Sequence, residues 1–370
     1  MPYIYQRPDW PGFRWDAARL SAPLAAVRHR QGRLIGRMQG LGLALRDETA
    51  FDMLAEDAVK TSEIEGEVLD MSAVRSSLAR RLGLDDPVPA AIRRDADGIV
   101  EILVDAVQNH AAPLTEERLF AWHAALFPTG RSGLRRITVG DWRKPDGGPM
   151  QVVSGPLGRE TVHFEAPPAE RVADEMSRFL AWYEAEHPDL DLVLKAAVAH
   201  IWFVTIHPFD DGNGRIGRAL ADMMLARAEG LAQRFYSISA RLRVERSAYY
   251  ATLEAAQKGD LDITARLVWF LGILDKAIAD AEVHLATVLR KAQFWAQPKL
   301  DGISIRQRKV LAKLLDGFQG KLTASKWAAL AGCSPDTALR DIDDLIGRSV
   351  LVRADAGGRS THYLFVASDD

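Results

Sequence analysis

The chain is poor in cysteine, in long apolar runs and in net charge. Its single cysteine, Cys333, excludes an intrachain disulfide and suits a reducing compartment. The most apolar stretch, residues 192–206, contains Lys195 and His200 and is too short to cross a bilayer, which takes about 20 residues. The N-terminal residues lack the apolar run of a signal peptide. We therefore expect a cytoplasmic protein that does not contact a membrane.

Charge and length bound the remaining possibilities. The chain has 47 basic and 50 acidic residues in 370, a formal net charge of -3, so no overall field attracts nucleic acid. This length fits two or three domains. We expect three: a helical domain over residues 1–112, a core over 113–280 and a small module over 292–370.

Helical periodicity dominates the sequence and predicts a mainly α fold. Residues 192–206 are apolar nearly all round, as in a helix enclosed by others, and a second helix is expected from about Arg215 to Glu229. Residues 128–168 differ, because two β-like runs at 150–154 and 160–164 flank a turn at 155–158. This pattern predicts a β-hairpin.

The segment between the two central helices has the residues of an anion site. Gly212 and Gly214 free the backbone to turn its N–H groups inward, and the start of the next helix adds unpaired N–H donors. Arg215 and Arg218 are three residues apart, so both guanidinium groups lie on one side of that helix and can grip phosphate oxygens.

Two further side chains complete a set for phosphate chemistry. Asp211 would repel a phosphate unless a divalent cation such as Mg²⁺ lay between them. His207 can take a proton from a hydroxyl near neutral pH. Taken singly, Asn213 also fits a helix cap and His207 a core histidine, but the whole set within a dozen residues favours phosphate transfer.

The stretch from His207 to Arg218 resembles the Fic signature H-x-F-x-[DE]-G-N-G-R-x-x-R at every fixed position. The resemblance to the Fic core covers roughly residues 113–280. It implies a helical core that transfers AMP from ATP to Ser, Thr or Tyr hydroxyls of proteins, the chain itself included. Pyrophosphate would leave.

The resemblance also implies individual roles. His207 would be the base, Asp211 would hold Mg²⁺, and Phe209 would pack inside. The nucleotide would contact Gly212, Asn213, Gly214, Arg215, Gly217 and Arg218. Adenine would lie near Tyr249, Tyr250 and Gln257, although aromatic residues at helical spacing are more often part of a core.

Two other segments match family features. Val152, Val153, Ser154 and Gly155 resemble the flap, which aligns a target segment by strand addition, and otherwise form a surface hairpin. Residues 61–66 resemble the inhibitory motif [ST]-x-x-x-E-[GN], with Thr61, Glu65 and Gly66 at its fixed positions. A Glu65 carboxylate docked on Arg218 would remove that clamp from the phosphates. The same glutamate could instead sit on an ordinary helix surface.

The C-terminal module predicts a winged helix-turn-helix. Helices are expected over 306–316, 324–331 and 335–347, followed by two strands around residues 356–358. The third helix has four carboxylates, Asp336, Asp341, Asp343 and Asp344, against Arg340. Four acids facing DNA phosphates would be costly. We therefore expect a protein contact or a homodimer here, with DNA binding as the alternative.

The sequence alone leaves other functions possible. The Fic core could serve a nucleotide-sensing or DNA-binding regulator, or an enzyme that removes AMP. Transfer of phosphate, as in the Doc-like branch of the family, is disfavoured because that branch has Lys where this chain has Gly214.

Overall fold

The structure is a computed structural model of the chain. It describes residues 2–84, 94–145, 148–155, 159–315, 317–318, 320–354 and 361–366. Two predicted turns, the hairpin tip at 156–158 and the wing loop at 356–358, lie outside these residues. The chain forms two compact units, Met1–Glu282 and Val283–Asp370. The predicted N-terminal domain and core thus share the first unit.

The described residues confirm a mainly helical fold. Ten α-helices begin and end within the first unit: α1 Ala17–Gln39, α2 Leu43–Ile64, α3 Met71–Leu82, α4 Arg94–Gln108, α5 Glu116–Leu126, α6 Val172–Glu184, α7 Leu192–Ile206, α8 Asn213–Glu229, α9 Ile238–Val244 and α10 Arg246–Gln257. Helix α11, Thr264–Trp295, follows. Two antiparallel hairpins pair β1 Arg131–Ser132 with β2 Arg135–Arg136, and β3 Gln151–Ser154 with β4 Thr161–Glu165.

The core of the first unit lies around α7 and α8. Helix α7 has the predicted bounds and is buried over nearly its whole length. Helix α8 packs along it and begins at Asn213, two residues before the predicted start. Helix α2 packs against α4, α8 and α9. This packing brings the end of α2 to the start of α8, and so it positions the site described below.

Beyond the end of α11 and a 3-10 turn at Pro298–Leu300, the described residues of the second unit form three α-helices and a two-stranded sheet. These are α12 Ile305–Leu315, α13 Ala324–Ala331, α14 Pro335–Gly347, β5 Leu351–Arg353 and β6 Tyr363–Phe365. The bounds of α13 and α14 are those predicted. Trp327 is fully buried at the centre of its apolar core. The winged-helix assignment stays a prediction.

One expectation about α14 is wrong. Asp341 is only 7% exposed and pairs with Arg306 at 3.2 Å, and Asp344 pairs with Arg348 at 2.9 Å. The helix therefore does not present four free carboxylates, because Asp341 faces the interior at helical spacing.

Throughout the described residues, no helix is both long and apolar enough to cross a membrane.

Candidate active site

His207 ends α7 in a conformation that few side chains adopt. Its φ is 54° and its ψ is 58°, and its N–H still donates to the Phe203 carbonyl at 2.9 Å. A left-handed non-glycine residue costs about 1–3 kcal/mol, so its surroundings must hold it. Arg143 does this, because its Nε donates to the His207 carbonyl at 2.8 Å and its N–H to Pro208 at 2.9 Å.

Asn213 closes the loop that follows. Its Oδ1 accepts from the Phe209 N–H at 3.0 Å and its Nδ2 donates to the Phe209 carbonyl at 2.8 Å. The Phe209 ring is buried and stacks on His123 with centroids 4.2 Å apart, as the resemblance implied. The amide of Asn213 is thus engaged within the loop, and Gly212 rather than Asn213 is the N-cap of α8.

The two aspartates of the loop are held by the β1–β2 hairpin and by the chain just after it. The Ser132 hydroxyl donates to Asp211, and the Thr138 N–H donates to Asp210 at 2.8 Å. The other Asp211 oxygen accepts from the Gly212 N–H at 2.5 Å. Within the described ranges, no group of three or more His, Cys, Asp or Glu side chains could hold a metal ion. A cation at Asp211 would therefore need ligands from a bound molecule.

The start of α8 has the backbone geometry that the predicted cradle requires. Gly212 has a φ of 80°, and no side chain caps the first turn, so its N–H groups face outward. A Cβ on Gly212 would lie 2.9 Å from the Phe127 ring, which excludes larger residues. At Gly217 a Cβ would lie 2.9 Å from Val204 on α7, so this glycine allows close helix packing, and its contact with the nucleotide stays a prediction.

Arg218 is bound to the end of α2 by three contacts. Its Nε donates to the Thr61 hydroxyl at 2.7 Å, one Nη donates to the Thr61 carbonyl at 2.9 Å, and the other lies 2.8 Å from Glu65 Oε1. The guanidinium group is buried. Burial alone would lower the pKa of Arg218, but the charge of Glu65 outweighs it and raises that pKa. The ion pair expected from the sequence is therefore present.

A second glutamate binds the first arginine. Glu67 Oε2 lies 2.6 Å from an Nη of Arg215, which is itself buried. The turn after α2 places it there: Gly66 has a φ of 87°, its N–H donates to Glu63, and the Glu67 N–H reaches back to the Ser62 carbonyl. This is a Schellman turn, which favours glycine at the left-handed position.

The Glu65 carboxylate also lies against the backbone of Gly214, within the cradle. A Cβ added to Gly214 would lie 2.1 Å from Glu65 Oε1. In the observed arrangement only glycine fits at position 214, because a Cβ would clash with this carboxylate. The carboxylate thus lies where the backbone of the cradle would meet an anion.

The imidazole of His207 is suited to accept a proton. Its Nδ1 lies 3.2 Å from the Val204 carbonyl, which can only accept, so Nδ1 holds the proton and Nε2 keeps its lone pair. Burial lowers the pKa of His207 to about 4, so the ring is neutral at pH 7. A neutral ring with a free Nε2 can act as a general base.

This assignment predicts an unusually acidic titration. In nitrogen-detected NMR of the labelled protein, the His207 signals should titrate with a midpoint near pH 4, below the usual 6.5, because burial lowers the pKa to about 4. His207→Ala identifies the signals, because it removes that set alone. A midpoint near 6.5 would contradict the neutral, partly buried ring.

The hairpin β3–β4 corresponds to the predicted flap. Val152 pairs with Phe164 and Val153 with Val162, with an irregularity between the two pairs, and Gly155 ends the first strand with a φ of 105°. The hairpin is fastened to α10: the Ser154 hydroxyl lies 2.6 Å from His163 Nε2, and His163 Nδ1 lies 2.8 Å from Glu254.

The three residues predicted near adenine are placed differently from one another. Tyr249 is buried, with its hydroxyl 3.1 Å from His200 Nε2, and Gln257 is buried with its Nε2 3.3 Å from the Thr205 hydroxyl. Both therefore belong to the core in this arrangement. Tyr250 is only partly buried, and its hydroxyl lies 3.5 Å from Glu65 Oε2. The base-binding role of all three remains a prediction.

Sequence reasoning missed two residues that shape the site. Arg143 lies in the Gly- and Pro-rich segment, where nothing in its spacing distinguishes it from a surface arginine. Glu67 could have been predicted from the sequence, because it is a second acid directly after the glycine that ends α2.

Comparison with known proteins agrees with this geometry. The family model described as Fic/DOC matches residues 113–225, and a domain of unknown function, DUF4172, matches residues 3–84. Residues 113–225 form a Fic/DOC domain. This range includes β1 and β2, the β3–β4 hairpin, α7 and most of α8, so the loop that joins α7 to α8, proposed below as the catalytic loop, lies within the matched residues.

Relatives and one solved structure extend the comparison. A uridine 5'-monophosphate transferase of Xanthomonas campestris is 31% identical over 134 residues, covering 34% of this chain and 23% of its own. The protein adenylyltransferase Fic of Culex quinquefasciatus is 29% identical over 212 residues, covering 55% and 37%. A Fic family protein from Desulfovibrio desulfuricans G20 shares the fold, with a TM-score of 0.54, 20% identity and coverage of 97% and 99%.

These matches support a Fic-type nucleotidyltransferase. The chain spans 23% and 37% of the lengths of the two curated relatives, so what those whole proteins do is not thereby established for this chain.

Proposed function

We propose that this protein is a nucleotidyltransferase that moves AMP from ATP to Ser, Thr or Tyr hydroxyls of proteins, itself included, and that Glu65 restrains it. The observation that carries the proposal is the position of the Glu65 carboxylate, 2.8 Å from Arg218 and directly over Gly214. An acid held in a cradle of N–H groups and arginines marks the place of an anionic substrate group.

The reaction needs a base beside the cradle, and His207 fits that role. The acceptor hydroxyl gives its proton to Nε2 of His207 as its oxygen attacks the α-phosphorus of ATP. The bond to pyrophosphate breaks, and the N–H groups at the start of α8 stabilise the charge on the phosphate oxygens. Val204 and Arg143 fix the ring and the backbone of this residue.

Asp211 fits a magnesium ion that arrives with the nucleotide. Mg²⁺ is usually held by one or two carboxylates together with substrate phosphates and waters. The Asp211 carboxylate is oriented by Ser132 and Gly212, and it lies one residue before the cradle. When bound, the ion would neutralise phosphate charge, and Asp211 would hold it.

The restraint follows from competition for one guanidinium group. Arg218 is buried and bound to Thr61 as well as Glu65, so it can meet a phosphate only after the carboxylate leaves. Nucleotide binding with Glu65 in place would put like charges together at the γ-position. Acceptor proteins would pair with the open edge of β3 or β4 by strand addition.

The test is transfer of label from ATP in the Glu65→Gly background. We expect added proteins and the chain itself to become labelled, and His207→Ala to reduce the rate by about 100-fold or more, the usual contribution of a general base. Asp210→Asn is a matched control on the same loop, because its carboxylate faces Thr138. Equal labelling with and without His207 would rule out this chemistry.

Transfer of UMP is a second candidate. The similarity to a uridine 5'-monophosphate transferase favours it, and two of the three residues expected near adenine are buried. If the base is adenine, excess unlabelled UTP should leave labelling from ATP nearly unchanged. Stronger labelling from UTP than from ATP at equal concentration would establish uridylyl transfer instead.

A further inference from the structure

The β1–β2 hairpin is an exposed, strongly basic projection beside the catalytic loop. Arg131, Arg135 and Arg136 are all exposed, and Leu134 at the turn is 96% exposed. Three positive charges in six residues contrast with the overall charge of -3. A local field of this kind acts on a partner even where the molecule as a whole carries little charge.

The arginines lack acidic partners in the described part of the chain. None of the three forms an ion pair with the described residues, whereas Arg14, Arg118 and Arg215 of the same unit do. One Nη of Arg131 donates to the Leu134 carbonyl at 3.0 Å. Arg131 lies opposite Arg136 in the ladder. Like charges facing each other destabilise a hairpin, so an anion bound between them would stabilise it.

The hairpin and the residues just after it contact the loop that carries Asp210 and Asp211. Ser132 donates to Asp211 and Thr138 donates to Asp210, so the arginines lie on the rim of the catalytic loop. The cradle has its own pair of arginines, Arg215 and Arg218, and both are buried. The exposed group is therefore available to a molecule that approaches the rim from solvent.

We propose that the β1–β2 hairpin is a docking site for an acidic segment of the protein acceptor, with Leu134 inserted between apolar side chains of that segment. The inference rests on the proposed function and names the kind of acceptor it takes. A carboxylate-rich partner matches the three arginines by charge, and guanidinium groups bind carboxylates with two parallel hydrogen bonds. A nucleotide phosphate on the same arginines is the competing outcome.

The experiment uses random copolymers as acceptors, because they vary charge and keep the hydroxyl. The Glu65→Gly protein is given labelled ATP with either a glutamate–tyrosine or a lysine–tyrosine copolymer. We expect at least about tenfold faster labelling of the acidic copolymer, falling as salt is raised. Arg135→Glu with Arg136→Glu should remove this preference and raise KM for the acidic copolymer, whereas KM for ATP should not change.

Two controls keep the result interpretable. Arg19→Glu changes the charge of an exposed arginine on α1 and should leave the preference intact. Leu134→Ser should slow the labelling of the acidic copolymer without reversing the preference for it. Equal labelling of both copolymers, or a raised KM for ATP in the double variant, would overturn the docking site. Absence of label on every acceptor and on the chain itself would instead refute the proposed function.

Discussion

Replacing Glu65 with glycine should raise nucleotide transfer by about 10- to 100-fold. A charge-assisted contact is worth about 1.5–3 kcal/mol, and its loss frees Arg218 for the phosphates. The same change clears the space above Gly214, where the carboxylate now lies. The measurement is the initial rate of self-labelling from labelled ATP with Mg²⁺, with the amount of folded protein matched by circular dichroism.

Neighbouring glutamates supply the controls for this result. Glu63→Gly changes the same helix end, but Glu63 pairs with Lys60 and Arg243 and not with the site, so its rate should stay near that of the native chain. Glu67→Gln should raise the rate at most about fivefold, because Glu67 is half-exposed and such ion pairs contribute about 0.2–1 kcal/mol. An equal rise for Glu63 and Glu65 would show that loosening α2, and not the carboxylate, releases the enzyme.

The catalytic loop was largely predictable because its determinants are local. The apolar run of α7, the glycines and the spacing of Arg215 and Arg218 all follow from neighbouring residues, and the structure places them as the spacing indicates. The contact of Glu65 with Arg218 spans more than 150 residues, and only the resemblance to a family motif suggested it. Periodicity alone gives no signal for such a pair.

The side-chain placements that the sequence did not predict have a common physical origin. Asp341 faces inward and Tyr249 and Gln257 are buried because each lies on the core side of its helix, which depends on what packs against that helix. Arg143 holds His207 from a segment without regular periodicity. Side-chain direction in these cases is decided by tertiary packing, which short-range patterns do not contain.

Arg234→Met should destabilise the first unit by about 3–5 kcal/mol, the usual cost of breaking one side of a buried ion pair. Arg234 and Asp222 are both nearly fully buried and lie 3.1 Å apart. Asp57 on α2 belongs to the same network and accepts from the Ser239 N–H at 3.2 Å. The arginine is therefore the cation that offsets acids on α2 and α8, and urea unfolding at pH 9, above the raised pKa of Asp222, measures its loss. Arg243→Met, at an exposed pair with Glu63, should cost less than about 1 kcal/mol.

The same network fixes the sign of a pH effect. Burial, and then the charge of Asp57, raises the pKa of Asp222 to about 8. Because this folded value lies above the unfolded one, the contribution of Asp222 to stability is present at low pH and is lost as pH rises toward 8, by about 1.4 kcal/mol per unit. Relative to Asp222→Asn, the native chain should thus gain stability between pH 8 and pH 6. Parallel curves for the two proteins would mean that Asp222 is ionised in the folded state, with Arg234 as its full counter-charge.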